Sequence, residues 1–374
     1  MRLLFIFGTR PEAIKMAPLI REARANYPKI ETCICVTGQH REMLDQILSF
    51  FNIHPDVDLD IMKSGQDLFD ITSAALLRLK EIISKFKPDV ILVQGDTTTA
   101  FISSLAAFYL LIPVAHIEAG LRSGDNYSPF PEEVNRKLIS QIATWHFAPT
   151  IKALENLNKS GIYNNVFVTG NTVIDAFFWG ISILNEEGNV KYCKKFEFID
   201  FTKKIILVTG HRRESFGKPF REICNAIKSI ALSHSEIQVV YPVHLNPHVQ
   251  QPVKEILQNV RNIHLTEPLD YPSLIWLLSK CYLVLTDSGG IQEEAPSLGK
   301  PVIVMRDVTE RTEGIEAGNA ILAGASFEKI VNAVNNILDS ETIYQKMAKA
   351  GNPYGDGKTS GKIIHILLKT QINK

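Results

Sequence analysis

The sequence predicts an α/β protein made of two Rossmann-like domains with a cleft between them. Three observations predict it. Short apolar runs ending in Gly, Asp or Glu alternate with amphipathic helical stretches, which implies parallel sheets covered on both faces. The alternation comes in two series, separated by the charged, weakly periodic stretch ISILNEEGNVKYCKKFEFIDF. A length of 374 residues also exceeds most single cores, so two domains are the default.

The first series of strands is LLFIF, TCICVTG, VILVQGD, VAHIEAG, WHFAP and VFVTGN; the second is KKIILVTGH, IQVVYPVH, IHLTEP, YLVLTDSGG, PVIVMRD and NAILAG. The domains are placed at residues 1–170 and 171–357. In open α/β sheets ligands bind beyond the carboxyl ends of strands, so the residues just after each strand carry the functional argument.

Composition excludes several classes. Lys+Arg and Asp+Glu are both 40, and no basic surplus points to nucleic acid or an anionic membrane. The most apolar stretch, 101–115, is interrupted by Ser103, Ser104 and Pro113 and is shorter than the roughly 20 apolar residues a membrane span takes. The N-terminus runs straight into a strand without a signal-peptide layout. Five scattered cysteines (Cys33, Cys35, Cys193, Cys224, Cys281) form no CxxC pair, so no structural metal is expected. The expectation is a soluble, reduced, cytoplasmic protein.

After LLFIF and Gly8 comes Thr9-Arg10-Pro11-Glu12, a T-x-x-E capping box with Pro in the first turn. A helix starts there, with Arg10 and Lys15 within about a turn of its N-terminus. The helix end alone is worth about 0.3–1 kcal/mol to an exposed anion. Each cationic hydrogen bond adds about 1.5–3 kcal/mol, so the two side chains would dominate anion binding. Spacing alone equally allows two solvated surface cations. A nicotinamide dinucleotide does not fit: there is no GxGxxG, and the second strand ends in Val36-Thr37-Gly38-Gln39 instead of a ribose-binding acid.

VILVQGD ends in Asp96 and VAHIEAG carries Glu118 at the matching position. If these strands are neighbours, about 4.8 Å apart, both carboxylates reach one sheet edge. SPFPEEVNR adds Glu132 and Glu133 in a first helical turn. Clustered carboxylates raise one another's pKa, which suits acid/base work, although acids at such positions also cap helices. In the second half, IILVTGHRRESFG places His211, Arg212 and Arg213 after a strand, fit to polarise an anionic leaving group; His244 and His248 read as structural. YLVLTDSGGIQEEAPSLGKP gives the sharpest phosphate signal. Ser288, Gly289 and Gly290 turn tightly into a helix, so the backbone can approach a diphosphate, and Glu293 and Glu294 are placed to accept from ribose hydroxyls. MRDVTERTEG adds Arg306 and Arg311.

Read together, FGTRPEAIKMAP, GQHREMLDQ, QGDTTTAF, HIEAGLRSGDNYSPFPEEVNR, GHRRESFG and DSGGIQEEAPSLGKPVIVMRDVTER resemble the non-hydrolysing UDP-N-acetylglucosamine 2-epimerases, from residue 1 to about 360. The resemblance implies a glycosyltransferase-B architecture, with a last helix of about 358–374 returning to the N-terminal domain. It implies a UDP-sugar substrate, interconversion of UDP-GlcNAc and UDP-ManNAc for surface polysaccharides, no cofactor, and a homodimer. By motif, Asp96, Glu118, Glu132 and His211 correspond to catalytic residues. Arg10, Lys15, Ser288, Gly289, Gly290, Glu294 and Arg311 correspond to substrate-binding ones. Gln39, His40 and Arg41 correspond to a regulatory UDP-GlcNAc site present in some relatives. One segment departs: PLDYPSLIW has Leu274 where many members carry an aromatic. On this reading Arg10, Lys15, His211 and Arg311 supply leaving-group cations. The rivals are a hydrolysing epimerase, a UDP-GlcNAc-dependent glycosyltransferase and a non-catalytic nucleotide-sugar sensor.

Overall fold

A computed structural model describes residues 1–38, 41–61 and 65–372. The chain divides into two compact units, Met1–Trp179 with Tyr354–Lys374, and Gly180–Pro353. The division falls inside helix Thr172–Glu187 and just before the last helix, Thr359–Ile372, so that helix belongs to the first unit.

The first unit holds a seven-stranded sheet of β1 (Arg2–Phe7), β2 (Glu31–Val36), β3 (Val57–Asp58), β4 (Val90–Gln94), β5 (Val114–Ile117), β6 (Trp145–Ala148) and β7 (Val166–Val168). Its order is β3-β2-β1-β4-β5-β6-β7 and the pairings are parallel. All but β3 lie in apolar runs of the sequence; β3 is a two-residue edge strand with no run to announce it. Leu3 to Phe7 are fully buried, as expected for a strand covered on both faces. Cys33 and Cys35 point to one side, as their spacing requires, and pack with Leu4, Ile6, Ile91 and Val93. Each such side chain contributes about 1.5–3 kcal/mol by leaving water.

The second unit holds β8 (Lys204–Thr209), β9 (Ile237–Pro242), β10 (Ile263–Thr266), β11 (Leu283–Thr286), β12 (Val302–Val304) and β13 (Ala320–Leu322). They form a parallel sheet in the order β10-β9-β8-β11-β12-β13. The charged stretch after residue 180, where periodicity fails, is helical: Thr172–Glu187 runs into it and Val190–Lys195 follows. Its aromatics explain the mixed pattern, since Tyr192 and Phe196 are buried and stack on Trp276 at 5.7 and 5.4 Å. No described helix is long and apolar enough to cross a membrane.

Candidate active site

In the first unit the turns after β1, β4 and β5 are brought together. Helix Arg10–Asn26 begins with the predicted Thr9/Glu12 box and Pro11 in its first turn. Glu12 is 1% exposed and does more than cap. Its Oε2 accepts from the amides of Gly8 and Thr9 (3.0 and 2.8 Å) and from the Thr9 hydroxyl, while Oε1 accepts from the Thr97 hydroxyl at 2.6 Å. Burial pushes its carboxyl upward, against these hydrogen bonds. Glu12 thereby ties the turn carrying Arg10 to the residue next to Asp96.

Gln94 of β4 is in register with Ile117 of β5, so Asp96 and Glu118 follow neighbouring strands past one edge. Glu118 is 7% exposed and sits at φ 63°, a left-handed conformation uncommon outside Gly, Asn and Asp. Its Oε2 accepts from Lys15 Nζ at 2.5 Å and from Gln94 Nε2, and its Oε1 from Asn171 Nδ2 at 2.9 Å. Lys15, expected to meet a phosphate, meets this carboxylate. Arg10 opens the same helix.

Asp96 is gripped by Arg136, whose Nε and Nη2 lie 2.8 and 2.7 Å from Oδ2. Arg136 belongs to helix Glu132–Ile142, which starts with the third predicted acid. The neighbouring Glu133 is fully buried and engaged internally, accepting from the Ser123 amide (2.9 Å) and Arg136 Nη1 (3.2 Å). Burial pushes its carboxyl up, but these bonds hold it below the usual range. Glu132 Oε2 and Glu133 Oε1 are each buried with no hydrogen-bond partner among the described residues, with Lys137 Nζ 3.6 Å from the latter. A buried acceptor left unpaired costs about 1–3 kcal/mol. Asp96 and Glu118 are thus each matched with a cation, Arg136 and Lys15. His116 lies beneath them, its Nε2 2.7 Å from the Gly95 carbonyl. A carbonyl only accepts, so the proton sits on Nε2. Burial holds this ring near a pKa of about 3, hence neutral.

In the second unit the organiser is Asp287, at the end of β11 and 1% exposed. Its Oδ2 accepts from the amides of His211 (2.6 Å) and Arg212 (2.7 Å) after the neighbouring β8. His211 Nδ1 is 3.6 Å from Asp287 Oδ1, and its ring stacks on His244 at 5.2 Å and 11°. Burial lowers the His211 pKa, with Asp287 opposing and His244 and Arg212 assisting. Burial thus works against the charged form of the His211 ring, the form expected to face a leaving group. The sequence reading missed Asp287 and set His244 aside; an acid closing an apolar strand was the available signal for the first. His248 stacks on Phe216 at 5.2 Å.

Ser288 precedes helix Gly289–Glu294. A Cβ at Gly289 would lie 2.8 Å from Arg311 Cζ, so any side chain there would have to displace the guanidinium; Gly290 faces open space. Arg311 is held by Glu293 (Nε, 2.9 Å) and Glu310 (Nη1, 2.5 Å). Arg306 is held by Glu214 (2.6 Å) and Glu310 (3.1 Å). Burial would raise Glu310, but Arg311, its own amide, Arg306 and Arg212 bring it to about 2. Glu293, expected to serve a ribose, is engaged by Arg311. Glu294 is 5% exposed one residue on. Gln39, His40 and the Arg41 side chain lie outside the described residues. Among those described, no group of His, Cys, Asp or Glu has metal-binding geometry.

The chain as a whole is similar to known proteins. The family model described as UDP-N-acetylglucosamine 2-epimerase matches residues 22–368. The chain is 54% identical to the UDP-N-acetylglucosamine 2-epimerase of Yersinia pestis over 375 residues, covering 100% of both chains. It is 53% identical to that of Escherichia coli (strain K12) over 376 residues, again covering 100% of both. The solved structure of the Neisseria meningitidis UDP-GlcNAc 2-epimerase bound to UDP-GlcNAc is similar at a TM-score of 0.91 and 48% identity, over 99% of this chain and 100% of that one. The chain therefore belongs to the UDP-N-acetylglucosamine 2-epimerase family.

Proposed function

We propose that the protein interconverts UDP-GlcNAc and UDP-ManNAc by eliminating and re-adding UDP. The C2 proton of the sugar has no carbonyl on its carbon and is not acidic, so direct abstraction is slow. Departure of UDP takes the C1–O electron pair and gives C1 oxocarbenium character, which acidifies C2–H. A carboxylate removes that proton, the C1–C2 double bond of 2-acetamidoglucal forms, and UDP stays bound. Protonation of C2 from the opposite face and return of UDP to C1 give the epimer. No bond to water forms, and no redox step occurs.

This chemistry needs acid/base groups for both ring faces and hydrogen-bond donors for the departing diphosphate. Asp96, Glu118 and Glu132 are assigned to the first task; His211, Arg10, Arg311 and the amides of Ser288 to Gly290 to the second; Glu294 to the ribose. The observation that carries the reading is that Asp96 and Glu118 leave neighbouring strands at one sheet edge, with Asp96 held from the helix that begins at Glu132. Arg136 holds Asp96 and Lys15 holds Glu118, while Glu132 Oε2 is buried with no hydrogen-bond partner among the described residues. The first-turn stretch FGTRPEAIKMAP supports the reversible, non-hydrolysing branch. We assign the product to surface polysaccharide precursors and the working form to a homodimer.

Incubation of UDP-GlcNAc in D2O without any acceptor tests the reading. Deuterium at C2 with the nucleotide intact is expected. Free ManNAc would instead mean a hydrolase, and silence until an acceptor is added would mean a transferase. Light scattering checks the dimer.

A further inference from the structure

Thr169, Gly170 and Asn171 follow β7 and meet Tyr354–Ser360, the segment by which the chain re-enters the first unit. The Asn171 amide donates to the Tyr354 carbonyl at 2.6 Å, and the Thr359 hydroxyl to the Thr169 carbonyl at 3.2 Å. Asp175 accepts from the amides of Thr359 (3.2 Å) and Ser360 (2.7 Å). The approach is close enough to demand glycine at 170, where φ is +95° and a Cβ would lie 2.7 Å from Thr359 Oγ1. Asn171 is 2% exposed and its side chain is engaged at both ends. Oδ1 accepts from the Val173 amide at 3.1 Å, and Nδ2 donates to Glu118 Oε1 at 2.9 Å.

We propose that Asn171 is a positioning residue that fixes the Glu118 carboxylate and takes its own place from the returning segment. The inference rests on Glu118 being one of the reacting acids. A carboxylate turns about its last carbon–carbon bond. Lys15 and Gln94 hold Oε2 and Asn171 holds Oε1, so three donors set its plane. Donation to a carboxylate also favours its charged form. The titratable groups facing Glu118 include Lys15, ion-paired to it from helix Arg10–Asn26, and His116 on the strand that leads to it, neutral with a pKa of about 3.

The test compares Asn171→Ala and the near-isosteric Asn171→Asp with Glu118→Gln, following C2 exchange in D2O across pH together with Tm. In Asn171→Ala, kcat should fall roughly tenfold or more, as for loss of one hydrogen bond to a charged group. KM for UDP-GlcNAc should hold, and the acid limb of the kcat profile should move up by about one pH unit. Asn171→Asp should be slower still at neutral pH, where two carboxylates face each other. Its turnover should recover on acidification, when a shared proton restores the bond. An acid limb unmoved in Asn171→Asp overturns the proposal, whatever happens to Tm. If Glu118→Gln keeps parental turnover, the assignment of Glu118 itself fails. If Glu118→Gln is inactive while the Asn171 variants keep the parental profile, only the positioning role fails.

Discussion

Arg136 holds Asp96 through two guanidinium nitrogens, at 2.8 and 2.7 Å, from the helix whose first residue is Glu132. Arg136 thus ties Asp96 to that helix, and it also reaches Glu133 at 3.2 Å. Lysine at 136 keeps the charge but loses the fork that makes these contacts together. Arg136→Lys should therefore lower kcat for C2 exchange by roughly 10- to 100-fold, the equivalent of one charged hydrogen bond, with KM nearly unchanged. Steady-state kinetics at saturating UDP-GlcNAc check it; parental kcat would remove Arg136 from the placement of Asp96.

The Lys15–Glu118 pair invites a separation of stability from chemistry. The side chains are 14% and 4% exposed, and removing one partner of a buried pair costs about 3–5 kcal/mol because a charge is left alone. Lys15→Met should lower the urea midpoint strongly. Lys15→Met with Glu118→Gln should recover most of that stability and still show no C2 exchange. A double variant as unstable as the single one would mean that the cost lies elsewhere.

Much of this site was legible because its chemistry sits where the fold puts strand ends. Asp96 and Glu118 close apolar runs, and neighbouring parallel strands must deliver them to one edge. The Thr9/Glu12 spacing fixed the start of a helix. What sequence did not reveal is which charges the chain uses on itself. Lys15 and Glu118 are 103 residues apart, Arg136 and Asp96 are 40, and nothing local marks either pairing. The same holds for Asp287, whose acceptance of two amides 75 and 76 residues away depends on β8 and β11 being neighbours.

The two glycines of the SGG turn should behave differently. A methyl at 289 must displace Arg311, which Glu293 and Glu310 hold in place, whereas one at 290 meets nothing within 4 Å. Gly289→Ala should lower Tm and weaken UDP binding by roughly tenfold, about one charged hydrogen bond. Gly290→Ala should leave Tm unchanged, so any loss of affinity it shows reports the ligand's own approach. Calorimetric titration with UDP decides; equal behaviour of the two variants would refute the role given to Arg311 at Gly289.

Two buried histidines set an acid limit on stability. His116 and His146 are 1% and 3% exposed, and burial lowers their pKa values to about 3 and about 4 from 6.5. Both rings are neutral in the folded chain, while the unfolded chain takes up a proton at each as pH falls below 6.5. The unfolded state then binds more protons, so stability rises with pH across this window. The contribution is full above 6.5 and is lost progressively as pH falls toward the folded values. Each ring can add up to about 1.4 kcal/mol per pH unit to the slope. Glutamine at 116 removes the titration and keeps a donor for the Gly95 carbonyl. His116→Gln should therefore flatten the fall in unfolding free energy between pH 6.5 and 4.5, measured in urea, relative to the parent. An unchanged slope would show that His116 takes up its proton in the folded state.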